Sequence, residues 1–88
     1  MQKPLFSLGQ VVATPGALDL GVNFCPYLRR HQRGDWGELE AEDRAENDFS
    51  ARNGLRLLSA YRTPSGARFW IITEADRSAT TVLLPSEY

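Results

Sequence analysis

Three strand-like runs in the C-terminal part most constrain what this chain can fold into. After Gly54 the sequence is rich in leucine, isoleucine, valine, threonine and aromatic residues, which favour strands. Two turn-forming segments, residues 63–66 and 75–78, are short enough to close hairpins. The pattern therefore predicts a three-stranded antiparallel meander at residues 55–62, 67–74 and 80–84.

The first hairpin also has a predicted register, set by a Pro64-Ser65-Gly66 loop. Both faces of this hairpin are apolar in the middle, so we expect helices on one face. The other face is expected to be covered by an N-terminal segment containing Leu5, Phe6 and Leu8, or by a second copy of the protein. The predicted facing pairs are Arg56 with Glu74, Leu58 with Ile72, Ala60 with Trp70, Arg62 with Arg68, Leu57 with Thr73, Ser59 with Ile71, and Tyr61 with Phe69.

The N-terminal half predicts a short strand followed by two or three helices. Residues 10–13 are strand-prone, and Thr14 with Pro15 is typical of a helix start, giving a helix at 15–20. Further helices are predicted at 24–33 and 41–53, the last ending at Gly54. The predicted fold is one α+β domain over residues 1–88, with the helices on one face of the meander.

Apolar residues at helical spacing predict which side of each helix faces the core. In the second helix Phe24, Tyr27, Leu28 and His31 share one face. In the third helix the apolar stripe is narrow. It consists of Ala41, Ala45 and Phe49, with Leu39 packing from the helix entry and Trp36 filling the core.

Charge is unevenly distributed in a chain whose formal net charge is only −1. Seven of its eleven acidic residues lie between Asp35 and Asp48, against the single basic residue Arg44. Acids in the first turn of a helix complement its dipole, so a solvated helix explains much of this segment. The alternative is a negative surface that binds a protein partner, made of Glu38, Glu40, Glu42, Asp43 and Glu46.

The remaining polar residues form no recognisable catalytic or metal-binding motif. His31 with Asp35 could act as an acid–base pair, but a packed histidine explains it more simply. Cys25 is expected to be a packed, inert thiol. Glu74 and Asp76 are expected in turn and cross-strand roles rather than as cation ligands. We therefore predict no enzyme activity, no cofactor and no metal.

Arginines on the strands give an alternative function as a small nucleic-acid-binding or regulatory module. A sheet surface combining arginines with Tyr61 and Trp70 could contact phosphates and bases. The near-zero net charge provides no general attraction to nucleic acid. The candidate residues are Arg56, Arg62, Arg68 and Arg77.

A single cysteine, Cys25, fits a reducing compartment. Residues 1–4 lack the features of a signal peptide, and no run is long and apolar enough for a membrane span. We expect a cytoplasmic protein that does not enter a membrane.

Three motifs resemble a widespread family of small bacterial proteins described as plasmid-related or hypothetical. They are GDWG at 34–37, NGLRLLSAY at 53–61 and WIITEADRSATTVLLPSEY at 70–88. The resemblance covers about two-thirds of the chain, from Arg30 onwards. It implies a mobile-element or accessory bacterial context, and it supplies no catalytic residues that could be assigned to this chain. The leading hypothesis is a non-enzymatic accessory protein that binds a protein partner, such as a host defence complex it inhibits. A homodimer through the uncovered sheet face is a further expectation.

Overall fold

The computed structural model describes residues 3–88 as three helices and one four-stranded sheet, which confirms the α+β class. Met1 and Gln2, on which the signal-peptide expectation partly rests, lie outside the described residues. None of the helices in the described part is both long and apolar enough to cross a bilayer. In chain order the elements are β1 (Gln10–Ala13), α1 (Pro15–Leu18), α2 (Cys25–Gln32), α3 (Ala41–Asn53), β2 (Leu57–Arg62), β3 (Arg68–Thr73), β4 (Ala79–Leu83) and a closing 3-10 turn (Pro85–Glu87).

The C-terminal meander has the three predicted strands, with bounds that differ by one or two residues, and its first hairpin has the predicted register. β2 and β3 pair antiparallel with Leu58 opposite Ile72 and Ala60 opposite Trp70. Beyond the ladder, Arg56 and Glu74 form the predicted cross-strand pair, with 3.6 Å between Nη2 and Oε2. The prediction succeeds because turn residues and period-2 alternation determine hairpin register locally.

The predicted N-terminal strand is present as β1, and it joins the three-stranded meander as a fourth strand, a pairing that the sequence did not predict. It lies parallel to β4, and the strand order is β1-β4-β3-β2. The Gln10 amide donates to the Ser78 carbonyl and the Thr14 amide to the Val82 carbonyl, each at 3.0 Å. The two strands are separated by most of the chain, so no local turn motif could predict that they pair.

Helices α1 and α2 cover one face of the sheet, here called the front face. Thr14 caps α1 as predicted, its Oγ1 accepting from the Ala17 amide at 3.3 Å, although α1 ends at Leu18 rather than at residue 20. The predicted apolar side of α2 packs on the fully buried Phe69, and the Tyr27 and Phe69 rings meet edge to face at 4.9 Å. The front-face residues are Leu57, Ser59, Tyr61, Phe69, Ile71, Thr73, Thr80 and Val82.

The N-terminal segment also lies on the front face, so the expectation that it covers the opposite face was wrong. Phe6 packs edge to face on His31, with ring centroids 5.2 Å apart, and stacks on the buried Trp36 at 6.3 Å. A second small core forms here around Phe6, Trp36 and Leu57. This segment fills the space beside α2 because Gln32 holds it, its Nε2 donating to the Phe6 carbonyl at 2.9 Å.

The opposite face of the sheet, the back face, is covered mainly by the end of the chain. The Tyr88 ring packs edge to face on Trp70 at 5.6 Å. Arg56 holds this ring, its Nη1 donating to the Tyr88 hydroxyl at 3.0 Å. Trp70 is therefore half-buried under Tyr88 rather than part of the main core. The back-face residues are Leu58, Ala60, Trp70, Ile72, Thr81 and Leu83.

Candidate functional site

Helix α3 carries most of the acidic residues and has the predicted bounds. Glu42 and Asp43 lie in its first turn and Arg52 in its last, the distribution that the helix dipole favours. Gly54 ends the helix in the left-handed conformation, at φ 67°, where a side chain would be strained. Local sequence signals therefore account for where this helix begins and ends.

The side of α3 that faces the protein is the opposite of the predicted one. Within the helix only Asn47 and Ser50 are buried, and both are polar. Ala41 and Ala45 are exposed, and Phe49 is 54 % exposed. The prediction that these three apolar residues form the packing stripe was therefore wrong.

The edge of β2 explains this orientation. The backbone groups of Leu58 and Ala60 point away from β3 and need partners. The Asn47 Nδ2 donates to the Leu58 carbonyl at 2.6 Å, and the Leu58 amide donates to Asn47 Oδ1 at 3.3 Å. Next to it, the Ala60 amide donates to the Trp36 carbonyl at 3.1 Å, and the Glu38 amide donates to the Ala60 carbonyl at 2.7 Å. Asn47 must face the sheet, and this turns Phe49 outwards.

The five acidic residues predicted for partner binding all lie on the surface. Glu38 is the one with a cationic partner, because its Oε1 lies 2.8 Å from Arg62 Nε. Nearby, Asp48 accepts from Trp36 Nε1 at 2.9 Å. The other four have no ion pair within residues 3–88, namely Glu40, Glu42, Asp43 and Glu46.

A groove of about 320 Å³ runs between α3 and the back face of the sheet. Its apolar floor includes Leu39, Leu58 and Ile72, and Asp43 and Glu46 of α3 contribute carboxylates to it. At helical spacing Glu42, Glu46 and Phe49 follow i, i+4 and i+7, so they share the flank of α3 on which Glu46 lines the groove. We call this surface, made of Glu42, Asp43, Glu46, Phe49 and the groove, the α3 flank.

The structure does not bring the four candidate arginines together. Arg62 faces Arg68 at one end of the hairpin, and Arg56 lies at the other end, paired with Glu74. Arg77 has a structural role, because its guanidinium donates to the carbonyls of Leu55 at 2.6 Å, Glu74 at 3.1 Å and Ser50 at 3.2 Å. These positions do not form one continuous basic surface.

His31 is fully buried and does not meet Asp35. Its Nδ1 lies 2.5 Å from Ser59 Oγ and its Nε2 lies 2.9 Å from Thr73 Oγ1. Burial, with a smaller contribution from the Arg77 charge, lowers the pKa of His31 to about 3. A Ser–His contact can support nucleophilic catalysis, but here neither residue is accessible to a substrate.

Asp35 instead pairs with Arg30, and Asp35 Oδ2 lies 2.7 Å from Arg30 Nε. The hydrogen bond from Arg30 lowers the pKa of this carboxyl group. Glu74 and Asp76 take the predicted roles: Glu74 pairs across the hairpin, and Asp76 Oδ1 accepts from the Ser78 amide at 2.9 Å. Within residues 3–88, no three histidine, cysteine, aspartate or glutamate side chains are grouped so that they could hold a metal ion.

Cys25 departs from its prediction, because its side chain is exposed at the start of α2 rather than packed. The prediction missed this because Phe24 and Pro26 suggested an apolar environment, whereas the core-facing side of α2 begins at Phe24 and continues at Tyr27.

Comparisons with models of known protein families, with curated proteins and with solved structures found no match to this chain. The resemblance to plasmid-related bacterial proteins therefore stays a prediction.

Proposed function

We propose that this chain is a non-enzymatic protein-binding module, and that the α3 flank is its contact surface for a basic segment of another protein. The observation that carries the proposal is the exposure of Phe49 on a helix that faces the sheet with Asn47 and Ser50. The partner chemistry we commit to is a segment with Lys or Arg next to an apolar side chain.

Because Phe49 is exposed, its side chain can still contribute free energy of burial when a partner binds. Burying such a side chain contributes about 1.5–3 kcal/mol, and a large aromatic residue in the centre of an interface is a common hot spot. The folded chain gains only part of this contribution, since Phe49 is 54 % exposed. Binding of a partner over Phe49 would gain the rest.

Charge complementarity supports a basic partner. Glu42 and Glu46 lie on the same flank as Phe49, and neither has an ion pair within the described residues. Opposite charges steer association and reject wrong partners more than they add affinity. We therefore expect binding whose association rate falls as salt concentration rises.

The groove supplies a second contact next to Phe49. Leu39, Leu58 and Ile72 give it an apolar floor, and Asp43 and Glu46 provide carboxylates. The long stem of a lysine or arginine can lie on apolar surface while its cationic end meets an acid. This combination favours a cationic side chain over a neutral aromatic one.

The biological setting is part of the same proposal. The resemblance to plasmid-related proteins suggests a mobile element in bacterial cytoplasm, and a host defence complex is one class of partner in that setting. Inhibition of such a complex would follow if its basic segment normally binds nucleic-acid phosphates, with which the α3 flank would compete.

Quantitative affinity capture from a bacterial host lysate tests this function with four matched variants. Phe49→Ala removes the apolar anchor and Glu46→Lys reverses one charge of the α3 flank. Leu18→Ala and Asp19→Lys make the same kinds of change at exposed positions of the α1 region, where Leu18 is 63 % exposed. We expect one protein to be lost with the first two variants and retained with the second two. A capture profile that is the same for all four variants would overturn the proposal.

A further inference from the structure

The two edges of the sheet differ in how they are protected. Most outer groups of β2 have partners: Asn47 for Leu58, the backbone at Trp36 and Glu38 for Ala60, and the Tyr27 hydroxyl, which donates to the Arg62 carbonyl at 3.3 Å. The outer edge of β1 has no such cover among residues 3–88. An unprotected edge is a template for another strand.

The hydrogen-bonding direction of β1 identifies which groups are available. Gln10 and Thr14 donate towards β4, and bonding alternates along a strand, so Val12 also faces β4. The amide and carbonyl groups of Val11 and Ala13 therefore point outwards. No described residue donates to or accepts from them.

The side chains of β1 do nothing to prevent pairing. Natural edges are commonly blocked by charged residues, proline or a bulge, and the sequence Gln10–Ala13 contains none of these. Val11 and Val12 are 45 % and 42 % exposed. Two apolar side chains next to unpaired backbone groups favour another β-strand over water.

We propose that β1 pairs antiparallel with β1 of a second copy of this chain, about a two-fold axis at Val12. In this register Val11 of each copy exchanges both hydrogen bonds with Ala13 of the other, which uses all four outward groups of each strand. The two Val12 side chains then face each other as a non-hydrogen-bonded pair, where side chains approach most closely.

A second copy fits this edge because the strand is complementary to itself. The sequence centred on Val12 has an outward-bonding residue on each side, and no like charges meet across the axis. Val12 pairs with Thr81 of β4, so its side chain lies on the back face, and the pairing would extend that face across both copies. The dimer would have a continuous eight-stranded sheet, formed from two sheets of four strands.

Sedimentation equilibrium of the full chain tests the proposal. The contact is small, so the concentration should run from about 5 µM to about 500 µM. Val11→Pro removes only an outward amide, because the Val11 amide does not face β4, and proline is tolerated at sheet edges. Val12→Lys places two cations face to face, and Leu18→Lys adds the same charge at an exposed position off the strand.

We expect the mass of the unmodified chain and of Leu18→Lys to rise towards twice the monomer mass, while Val11→Pro and Val12→Lys stay monomeric. Val12→Lys decides the question on its own if Val11→Pro does not fold. A monomeric unmodified chain over the whole range, or dimerisation of Val12→Lys at the unmodified level, would overturn the proposal. Neither result depends on the α3 flank.

Discussion

The side-chain amide of Asn47 takes the place of a neighbouring strand for Leu58. Its Nδ2 donates to the Leu58 carbonyl at 2.6 Å, while the Leu58 amide donates to its Oδ1 at 3.3 Å. One side chain thus closes part of the outer edge of β2 and fixes α3 against it. The same pair of bonds leaves the other side of α3, with Phe49, in solvent.

Replacement of Asn47 should therefore destabilise the fold. Asn47→Ala leaves the partly buried amide and carbonyl of Leu58 without partners, and we expect a loss of about 1–3 kcal/mol in the free energy of unfolding. Asn53→Ala is the matched control, since Asn53 is exposed and donates only to the Phe49 carbonyl of its own helix. Urea unfolding measures both variants. Equal effects of the two would contradict the role assigned to Asn47.

The sequence predicted the bounds of α3 but not its orientation. Its bounds follow from local chemistry, because acids at the start and Gly54 at the end are helix signals. Its orientation depends on the outward groups of Leu58, a residue of a later strand. A narrow stripe of two alanines and Phe49 gives only a small free-energy gain when it is buried. The hydrogen bonds that the edge of β2 requires therefore determine which side of α3 faces the sheet.

Arg77 fixes the β3–β4 turn to the end of α3. It is the one described non-glycine residue with positive φ, 62°, and its guanidinium donates to carbonyls of Ser50 and Leu55. We expect Arg77→Ala to lower the free energy of unfolding by about 1.5–3 kcal/mol, because hydrogen bonds from a charged group are lost. The control is Arg68→Ala, at an exposed arginine without an ion pair among the described residues, expected to stay within about 0.5 kcal/mol.

Comparing Arg77→Ala with Arg68→Ala also shows whether Arg77 stabilises the fold or is free to contact nucleic acid. Thermal or urea unfolding of the two variants would show equal stability if Arg77 served only a surface role. Such equality would contradict the hydrogen-bonded anchor and make Arg77 available for ligand contact again.

His31 belongs to a buried hydrogen-bond network in which donors and acceptors can be assigned. Thr80 Oγ1 donates to the Leu8 carbonyl at 2.7 Å, so Thr73 must donate to Thr80 across their 2.8 Å contact. The Thr73 oxygen then accepts from His31 Nε2. Burial favours the neutral imidazole, in which Nδ1 accepts from the Ser59 hydroxyl.

Stability should therefore fall as the solution is acidified. The pKa of His31 is lowered from 6.5 to about 3 in the folded chain, so below pH 6.5 the unfolded chain binds the proton more readily. The stabilising contribution of neutral His31 is complete above pH 6.5 and is lost as pH falls towards 3. Between pH 7.5 and pH 4.5 we expect a loss of about 2–3 kcal/mol in the free energy of unfolding.

Urea unfolding at several pH values measures this loss. His31→Gln has no titrating ring, so its stability should change much less over the same interval, even if it is lower at pH 7.5. A wild-type stability that is flat between pH 7.5 and pH 4.5 would show that His31 is free to protonate in the folded chain.

His31 also shows where prediction from the sequence ends. The i, i+3, i+4, i+7 spacing placed His31 on the core side of α2, which the structure confirms. Its partners Ser59 and Thr73 come from β2 and β3, and Thr80 from β4. They become neighbours only through sheet register and the packing of α2, which no local pattern encodes.

The most direct test of the outward-facing α3 flank is the free energy of unfolding of Phe49→Ala, measured by urea titration. With Phe49 in solvent, we expect a change within about 0.5 kcal/mol, since alanine is also the better helix former. Truncation of a core aromatic such as Phe69 should cost about 3–5 kcal/mol and provides the reference. A loss of more than about 2 kcal/mol for Phe49→Ala would place Phe49 in the core and contradict the docking surface proposed for α3.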